Sequence, residues 1–346
     1  LNKVLATLGT GTYVEPDRIT VAGFLQDQWL PAIRQGVRPS TLASYEMNVR
    51  QHIAPVIGAV PLQQLTPDRL NVLYADLLAA GRRDGKGLSP KTVRNIHVII
   101  RKALADAVRW GRVVRNVAEL ADPPRLRASK RPAVVTWNAA ELRSFLESVA
   151  SEPDSCLWLT YATTGMRRGE ALALRWSDLD LDAKRAHVGR QLVSVNYVLH
   201  FSEPKTARGR RAIDLDAATG GALRAHRKRQ LEERLALGPH YQDGDLVFAR
   251  ADGASLHPQA VSDRFDKLVA GSQLPRIRLH DLRHTHATLT LKAGVPVKVV
   301  SERLGHASTS FTMDVYAHVL PGMQAEAAET FAALIAAPLR PSVSDS

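Results

Sequence analysis

A mainly α, two-domain chain is what this sequence predicts, and three observations predict it. Its 346 residues exceed what a single ordinary core organises. Across residues 19–122 every periodic signal is helical, until DPPRLRASKRP, residues 122–132, interrupts the period with adjacent prolines and no apolar pattern of its own. Beyond it helical patterns resume around one region of strand character.

Taken in order, residues 1–17 read as a helix end and a linker broken by Gly9-Thr10-Gly11. In residues 18–122, a helical bundle, Ser40 after Pro39 is expected to cap a helix through Ala43, Tyr45, Met47 and Val49. Thr66-Pro67 opens a helix that Gly81 closes, and Ser89-Pro90 opens one that runs to Trp110 and stops at Gly111. On this last helix Val93, Ile96, Ile100, Ala103 and Ala107 share one face, while Lys91, Arg94, Arg101, Lys102 and Arg109 share the other. Residues 123–135 form the linker. A second domain, residues 136–320, opens with TWNAAELRSFLESVA, where Asn138 and Glu141 have capping-box spacing. Residues 186–198 and 211–215 carry the strand signals, with a turn at residues 204–209 between them. The tail, residues 321–346, holds an Ala-rich amphipathic helix at 324–337, and there is no internal repeat.

Charge narrows the partner. The formal net charge is +12, and residues 81–131 carry fourteen Lys or Arg against four acids, a net of +10. Such concentration favours a polyanion, nucleic acid before membrane, although a merely solvated face would look the same in composition. No apolar run reaches the roughly 18 residues that span a bilayer. The single Cys156, in the apolar setting SCLWLTYA, excludes an internal disulfide framework and favours a reducing, cytoplasmic setting.

Four stretches carry chemistry. In TTGMRRGEALALRW, residues 163–176, Arg167 sits at a tight interhelical turn, where a planar fork can grip two phosphate oxygens; an ordinary helix junction with a surface salt bridge reads the same way. In RLHDLRHTHATL, residues 278–289, His280 and Arg283 share a helical face. That pair also occurs at His187/Arg190 and His226/Arg229, and His280, His284 and His286 could equally be metal ligands, though the carboxylate clusters of a two-metal nuclease are missing. In FSEPKTARGRRAIDLD, residues 201–216, Lys205 lies at a strand turn beside Arg208, Arg210 and Arg211; it is either solvated or a proton donor to a leaving oxygen. In LGHASTSFTMDVYAHV, residues 304–319, Tyr316 follows His306 by ten residues on a short amphipathic stretch. Together these types supply a nucleophile, two arginines for an added phosphorane charge, a base and an acid.

In this order and spacing, TGMRRGE, PKTARGRR, HDLRH, LGHAS and Tyr316 resemble the tyrosine recombinases of the phage integrase family, over nearly all of residues 18–320. The resemblance implies a helical core-type DNA-binding domain and a mostly helical catalytic domain with a small antiparallel sheet, the tyrosine recombinase fold. It implies Arg167 and Arg283 as the phosphate clamp, Lys205 as general acid and His280 as base or proton shuttle. It implies His306 as a phosphate contact, Tyr316 as nucleophile and Glu170 as support for the first arginine. Lys91, Arg94, Arg101, Lys102, Arg208 and Arg210 are the expected further DNA contacts. Site-specific strand exchange through a 3′ phosphotyrosine would need no metal, ATP or other cofactor. The implied partners are double-stranded DNA of attachment type, further copies in a homotetramer on DNA from a free monomer, and accessory DNA-bending or excisionase proteins. The tail resembles a segment that relatives dock on a neighbouring subunit, and a missing upstream arm-binding domain is expected from the chain's first residues. A metal-dependent nuclease and a non-catalytic DNA-binding protein are the rival readings.

Overall fold

The structure, a computed structural model, describes residues 14–82, 84–126, 135–204, 209–306 and 308–316, with residues 328, 329, 331–333 and 335 of the tail. The chain divides into two compact units, Leu1–Pro132 and Ala133–Ser346. No helix among the described residues is long and apolar enough to cross a membrane. The expectations for residues 1–13, for the linker's 127–134 and for most of the tail fall outside the described residues, while the described tail residues are helical.

The first unit runs through α1 (Val21–Gly23), α2 (Leu30–Ile33), α3 (Pro39–Asn48), α4 (Ala54–Ile57), α5 (Pro67–Ala80) and α6 (Pro90–Arg109). Wider π turns, Phe24–Trp29 and Val49–Ile53, join α1 to α2 and α3 to α4, each ending on an N–H that reaches five residues back, Leu30 to Leu25 and Ala54 to Val49. The next residues explain them. Pro31 and Pro55 have no N–H to donate, and their rings crowd the carbonyl four residues earlier, so the preceding turn opens. Thr66 and Ser89 cap α5 and α6 by accepting from the backbone N–H groups of Arg69 and Thr92. Ser40 does not cap α3: the helix starts at Pro39 with extended Arg38 before it, because proline's fixed φ suits the first helical position.

Both stripes of α6 stand as the pattern requires. Val93, Ile96, Ile100, Ala103 and Ala107 are buried with Phe24, Trp29, Ile53, Leu70 and Leu73, and the five basic positions are exposed. The basic face is less bare than the composition implied, for Arg101 pairs with Glu119 at 3.3 Å and Arg109 with Asp106 at 2.8 Å. Lys91, Arg94 and Lys102 make no ion pair among the described residues. Buried polar atoms in this unit find partners: the Trp29 indole donates to Asp106 at 2.8 Å, and the Tyr74 hydroxyl meets His97 Nδ1 at 2.8 Å.

The second unit contains α7 (Ala139–Ser148), α8 (Ser155–Thr164), α9 (Arg168–Ala171), β1 (Leu179–Asp180), β2 (Arg185–Val188), β3 (Gln191–Val195), β4 (Val198–Ser202) and β5 (Arg211–Asp214). It continues through α10 (Ala217–Leu237), α11 (Pro258–Ala270), α12 (Leu279–Lys292), α13 (Val297–Leu304) and α14 (Thr309–Tyr316). Asn138 and Glu141 form their capping box at α7. Trp137 then anchors that entry by donating its indole N–H to Pro275 and its backbone N–H to Thr285 on α12. Its ring packs with Phe145 and Phe265 in the core, and Phe265 in turn meets Trp158.

The strands depart from expectation. The single run at 186–198 is two strands, β2 and β3, and the tight hairpin joins β3 to β4 through Asn196 and Tyr197, both at positive φ as a two-residue turn with this twist demands. Strand β5 pairs with β2 in an antiparallel sheet ordered β1-β2-β5, while β3 and β4 form a separate ribbon. Strands β4 and β5, on either side of the expected turn, therefore belong to different sheets, and residues 205–208 between them lie outside the described residues. The residues flanking that segment meet, since a Cβ on Gly209 would stand 2.4 Å from Pro204 Cβ.

Candidate active site

Helix α8 ends on Gly165 in the left-handed region, at φ +63°, and the chain turns straight into α9. Glycine is required twice over, because an added Cβ would come within 2.8 Å of both His286 Cδ2 and Leu304 Cδ2. This turn puts Arg167 at the start of α9. There the Glu170 carboxylate accepts from the Arg167 backbone N–H at 2.9 Å and from its guanidinium at 2.7 Å.

Helix α13 ends with equal sharpness on left-handed Gly305. Its last carbonyls point outward without helical partners, at the negative end of the helix dipole. Three guanidiniums fill that vacancy: Arg211 donates to the Arg303 carbonyl at 2.6 Å, Arg283 to the Leu304 carbonyl at 2.7 Å and Arg167 to the Gly305 carbonyl at 3.1 Å. Arg283, 4% exposed, also donates to the Gly165 carbonyl at 2.7 Å, so it ties the two glycine turns together. The Arg167 side chain stays 40% exposed.

His306 follows immediately, buried, with Nδ1 2.7 Å from the Thr312 hydroxyl. Its pKa is pushed down to about 3 by burial and then by Arg283 and Arg167. His280, one turn before Arg283 on α12, keeps an open flank to solvent. The surrounding protein and then His284 and Arg283 still hold its pKa down to about 4. The His280 and His284 rings meet edge to face at 5.0 Å. At neutral pH both His280 and His306 are therefore uncharged, one condition for a proton acceptor.

Arg167, Arg283, Glu170 and His306 thus come together at one helix end, with His280 within electrostatic reach. Tyr316 closes α14, one turn beyond the Thr312 that touches His306, and its side chain lies outside the described residues, as do Lys205 and Arg208. Arg210 is exposed and pairs with Glu203 at 2.6 Å. Lys91, Arg94, Arg101 and Lys102 belong to the first unit. His286 turns away from a ligand role, since Nδ1 meets the Ala162 carbonyl at 3.0 Å and Nε2 receives Arg303 at 3.2 Å. Among the described residues no three His, Cys, Asp or Glu side chains gather as metal ligands.

Sequence reasoning missed Arg211 and Arg303. Arg211 is buried, with its third contact to Glu170 at 2.9 Å. Arg303 donates to the Asp214 and Thr163 carbonyls as well as to His286. Arg303 lies outside every motif and Arg211 stands in PKTARGRR only as one more cation beside Lys205, so both read as surface charges until their strand and helix are placed.

The chain belongs to the phage integrase family, whose model matches residues 137–322, and is a site-specific recombinase of the tyrosine type. The phage integrase N-terminal SAM-like domain matches residues 23–78. A tyrosine recombinase XerC-like protein of Caldanaerobacter subterraneus is 26% identical over 333 residues, covering 89% of this chain and 82% of that relative. The ICEBs1 integrase of Bacillus subtilis is 27% identical over 296 residues, covering 84% and 77%. Among solved structures, the Tn1549 transposon integrase in complex with transposon right end DNA superimposes with a TM-score of 0.72 at 21% identity, over 90% of this chain and 99% of that one. A lambda integrase tetramer bound to a Holliday junction gives 0.60 at 18% identity, over 89% and 82%. At these identities the two structures establish the fold.

Two outcomes test this geometry. Gly165→Ala combines an unfavourable left-handed residue, about 1–2 kcal/mol, with overpacking against His286 and Leu304, about 1–3 kcal/mol. Urea unfolding is expected to show the combined loss at an unchanged m-value, and a midpoint within error of wild type would contradict it. The depressed histidines also fix a sign. Each is neutral in the folded state and takes up a proton on unfolding between pH 6.5 and about 4 for His286 and about 3 for His306, so their stabilisation is present above pH 6.5 and fades as pH falls. The thermal midpoint of the DNA-free protein is expected to drop from pH 7 to pH 5, and His286→Gln to flatten the decline; a level profile in wild type would refute it.

Proposed function

We propose that this recombinase cuts and rejoins DNA through Tyr316, without metal or nucleotide cofactor. One observation carries the reading: Arg167 and Arg283 hang from adjacent carbonyls of one helix end, with a neutral histidine beside them. Guanidiniums held by carbonyls keep their charge for an anion, and two planar forks match the non-bridging oxygens of a phosphodiester.

In this scheme the Tyr316 phenolic oxygen attacks phosphorus, and the P–O bond to tyrosine forms as the bond to the 5′ oxygen breaks. His280 takes the phenol proton, and Lys205 gives one to the departing 5′ oxygen. Arg167, Arg283 and His306 hold the non-bridging oxygens while charge builds on the phosphorane, where one preorganised donor is worth about 2.7–4 kcal/mol. The 3′ phosphotyrosine conserves the bond energy, and the 5′ hydroxyl of a partner strand attacks it to release the tyrosine. Glu170 orients Arg167. Lys205 and the Tyr316 side chain take their roles from the sequence alone.

The partner is double-stranded DNA carrying attachment-type sites, held by four copies of the chain with help from DNA-bending or excisionase proteins. The Tn1549 integrase is in complex with transposon right end DNA and a lambda integrase tetramer is bound to a Holliday junction, and that analogy supports both assignments. The two domains divide the work in this assignment, residues 18–122 gripping DNA and 136–320 catalysing, with 123–135 as their linker and the tail 321–346 docking on a neighbour.

On a nicked suicide substrate, Tyr316→Phe is expected to bind DNA as wild type does and to form no covalent adduct on a denaturing gel. An adduct that persists in this variant sinks the assignment, and wild-type cleavage abolished by EDTA sinks the metal-free scheme. The basic face of α6 predicts salt-sensitive binding: replacing Lys91, Arg94 and Lys102 by alanine is expected to lower the slope of log affinity against log salt by about 2–3, at roughly 0.9 per phosphate contact. An unchanged slope would remove these residues from the DNA interface.

A further inference from the structure

Arg211 has the geometry of a working part. It opens β5 and buries its side chain, 7% exposed, against the equally buried Glu170. Each nitrogen of its fork has a partner: Nε the Arg303 carbonyl at 2.6 Å, one terminal nitrogen the Gly209 carbonyl at 3.2 Å and the other Glu170 Oε2 at 2.9 Å. Arg303 answers by donating to the Asp214 carbonyl at the other end of β5, so strand and helix are clamped in both directions. A surface cation gains nothing from such an arrangement.

Charge shows what the arrangement achieves. Glu170 lies between two arginines, giving one oxygen to Arg167 and the other to Arg211. Burial raises the Glu170 pKa, and the hydrogen bond and charge of Arg211, followed by the charge of Arg167, outweigh it and keep the carboxylate ionised. One anion is thereby shared by two cations, so the trio is left with one net positive charge. Without Arg211 the trio would be neutral. Arg167 would then meet a phosphate with its charge already matched by a carboxylate that is itself buried.

We propose that Arg211 is a positioning residue for strand cleavage: by taking part of the Glu170 charge and fixing the α13 terminus, it leaves Arg167 cationic and correctly placed for the scissile phosphate. This rests on the proposed tyrosine mechanism. It assigns Arg211 no contact with DNA, so the residue acts on the rate of the chemical step and hardly on affinity.

Cleavage of a nicked suicide substrate by full-length protein, followed at saturating protein beside a separate binding titration, tests the proposal. Arg211→Met is expected to slow adduct formation about 10²–10³-fold, the scale for losing one oxyanion donor, with affinity changed less than about threefold. Adding Glu170→Gln removes the unmatched anion as well, so the double variant is expected to recover at least about tenfold of that rate. Arg211→Lys keeps the charge and is expected to lie nearer wild type than Arg211→Met. A merely structural role would make the two substitutions add, with no recovery. The proposal is overturned by a double variant no faster than Arg211→Met, or by an Arg211→Met that cleaves at the wild-type rate. If Arg211→Met does not fold, Arg211→Lys carries the test, and a folded Arg211→Lys with a loss as deep as about 10³-fold overturns it. Wild-type protein that forms no adduct instead overturns the parent mechanism, and this inference with it.

Discussion

Three consecutive carbonyls at the end of α13, those of Arg303, Leu304 and Gly305, each accept a hydrogen bond from a different arginine. A helix ends with carbonyls that its own backbone cannot satisfy, and in most proteins water or a cap satisfies them. Here they are the frame on which the site hangs. Arg211 comes from a strand, Arg283 from the middle of α12 and Arg167 from a turn between two helices. Only a feature that presents several acceptors within one residue's spacing can gather cations from three elements. The two left-handed glycines serve this end: Gly305 stops α13 where its carbonyls are exposed, and Gly165 lets the Arg167 turn approach within contact of His286 and Leu304.

Much of this was legible from residue types alone. Thr66, Ser89 and the Asn138/Glu141 box mark helix starts by local chemistry, and α6 divides into buried and exposed faces by a period that no neighbour alters. Arg167, Arg283 and His306 could be named from their motifs. What could not be read depends on pairing at a distance. Nothing local states that β5 returns to β2 past an intervening ribbon, and the eye joins residues 211–215 to the nearer strand instead. Ser40 misled for a different reason: it is a good cap by type, and Pro39 beside it claimed the first helical position. Arg211 and Arg303 look like members of a basic run until the sheet brings one under Glu170 and the helix brings the other beside His286.

The electrostatics follow from how these cations are held. A carboxylate on each arginine would neutralise the site, and a bare cluster of arginines would repel itself. Carbonyl dipoles provide a third solution, stabilising the guanidinium while leaving its full charge in place. Among the described residues Glu170 is the carboxylate that pairs with these arginines, and it is divided between two of them. Burial first, and then neighbouring cations and His284, depress His280 and His306, so that imidazoles able to accept protons stand next to groups that repel them. Neutral base and charged clamp are thus two consequences of one arrangement.

That arrangement also relates the clamp to α14. His306 stands between the α13 terminus and Thr312, which it meets through Nδ1, so a shift of α14 is felt at the residue next to the arginine-bearing carbonyls. The first turn of α14 is therefore referenced to the same frame that orients Arg167 and Arg283, and residue 316 lies one turn farther along it. A clamp fixed by carbonyls is set before any anion arrives, and the contact of His306 with Thr312 carries that same reference into the helix that bears residue 316.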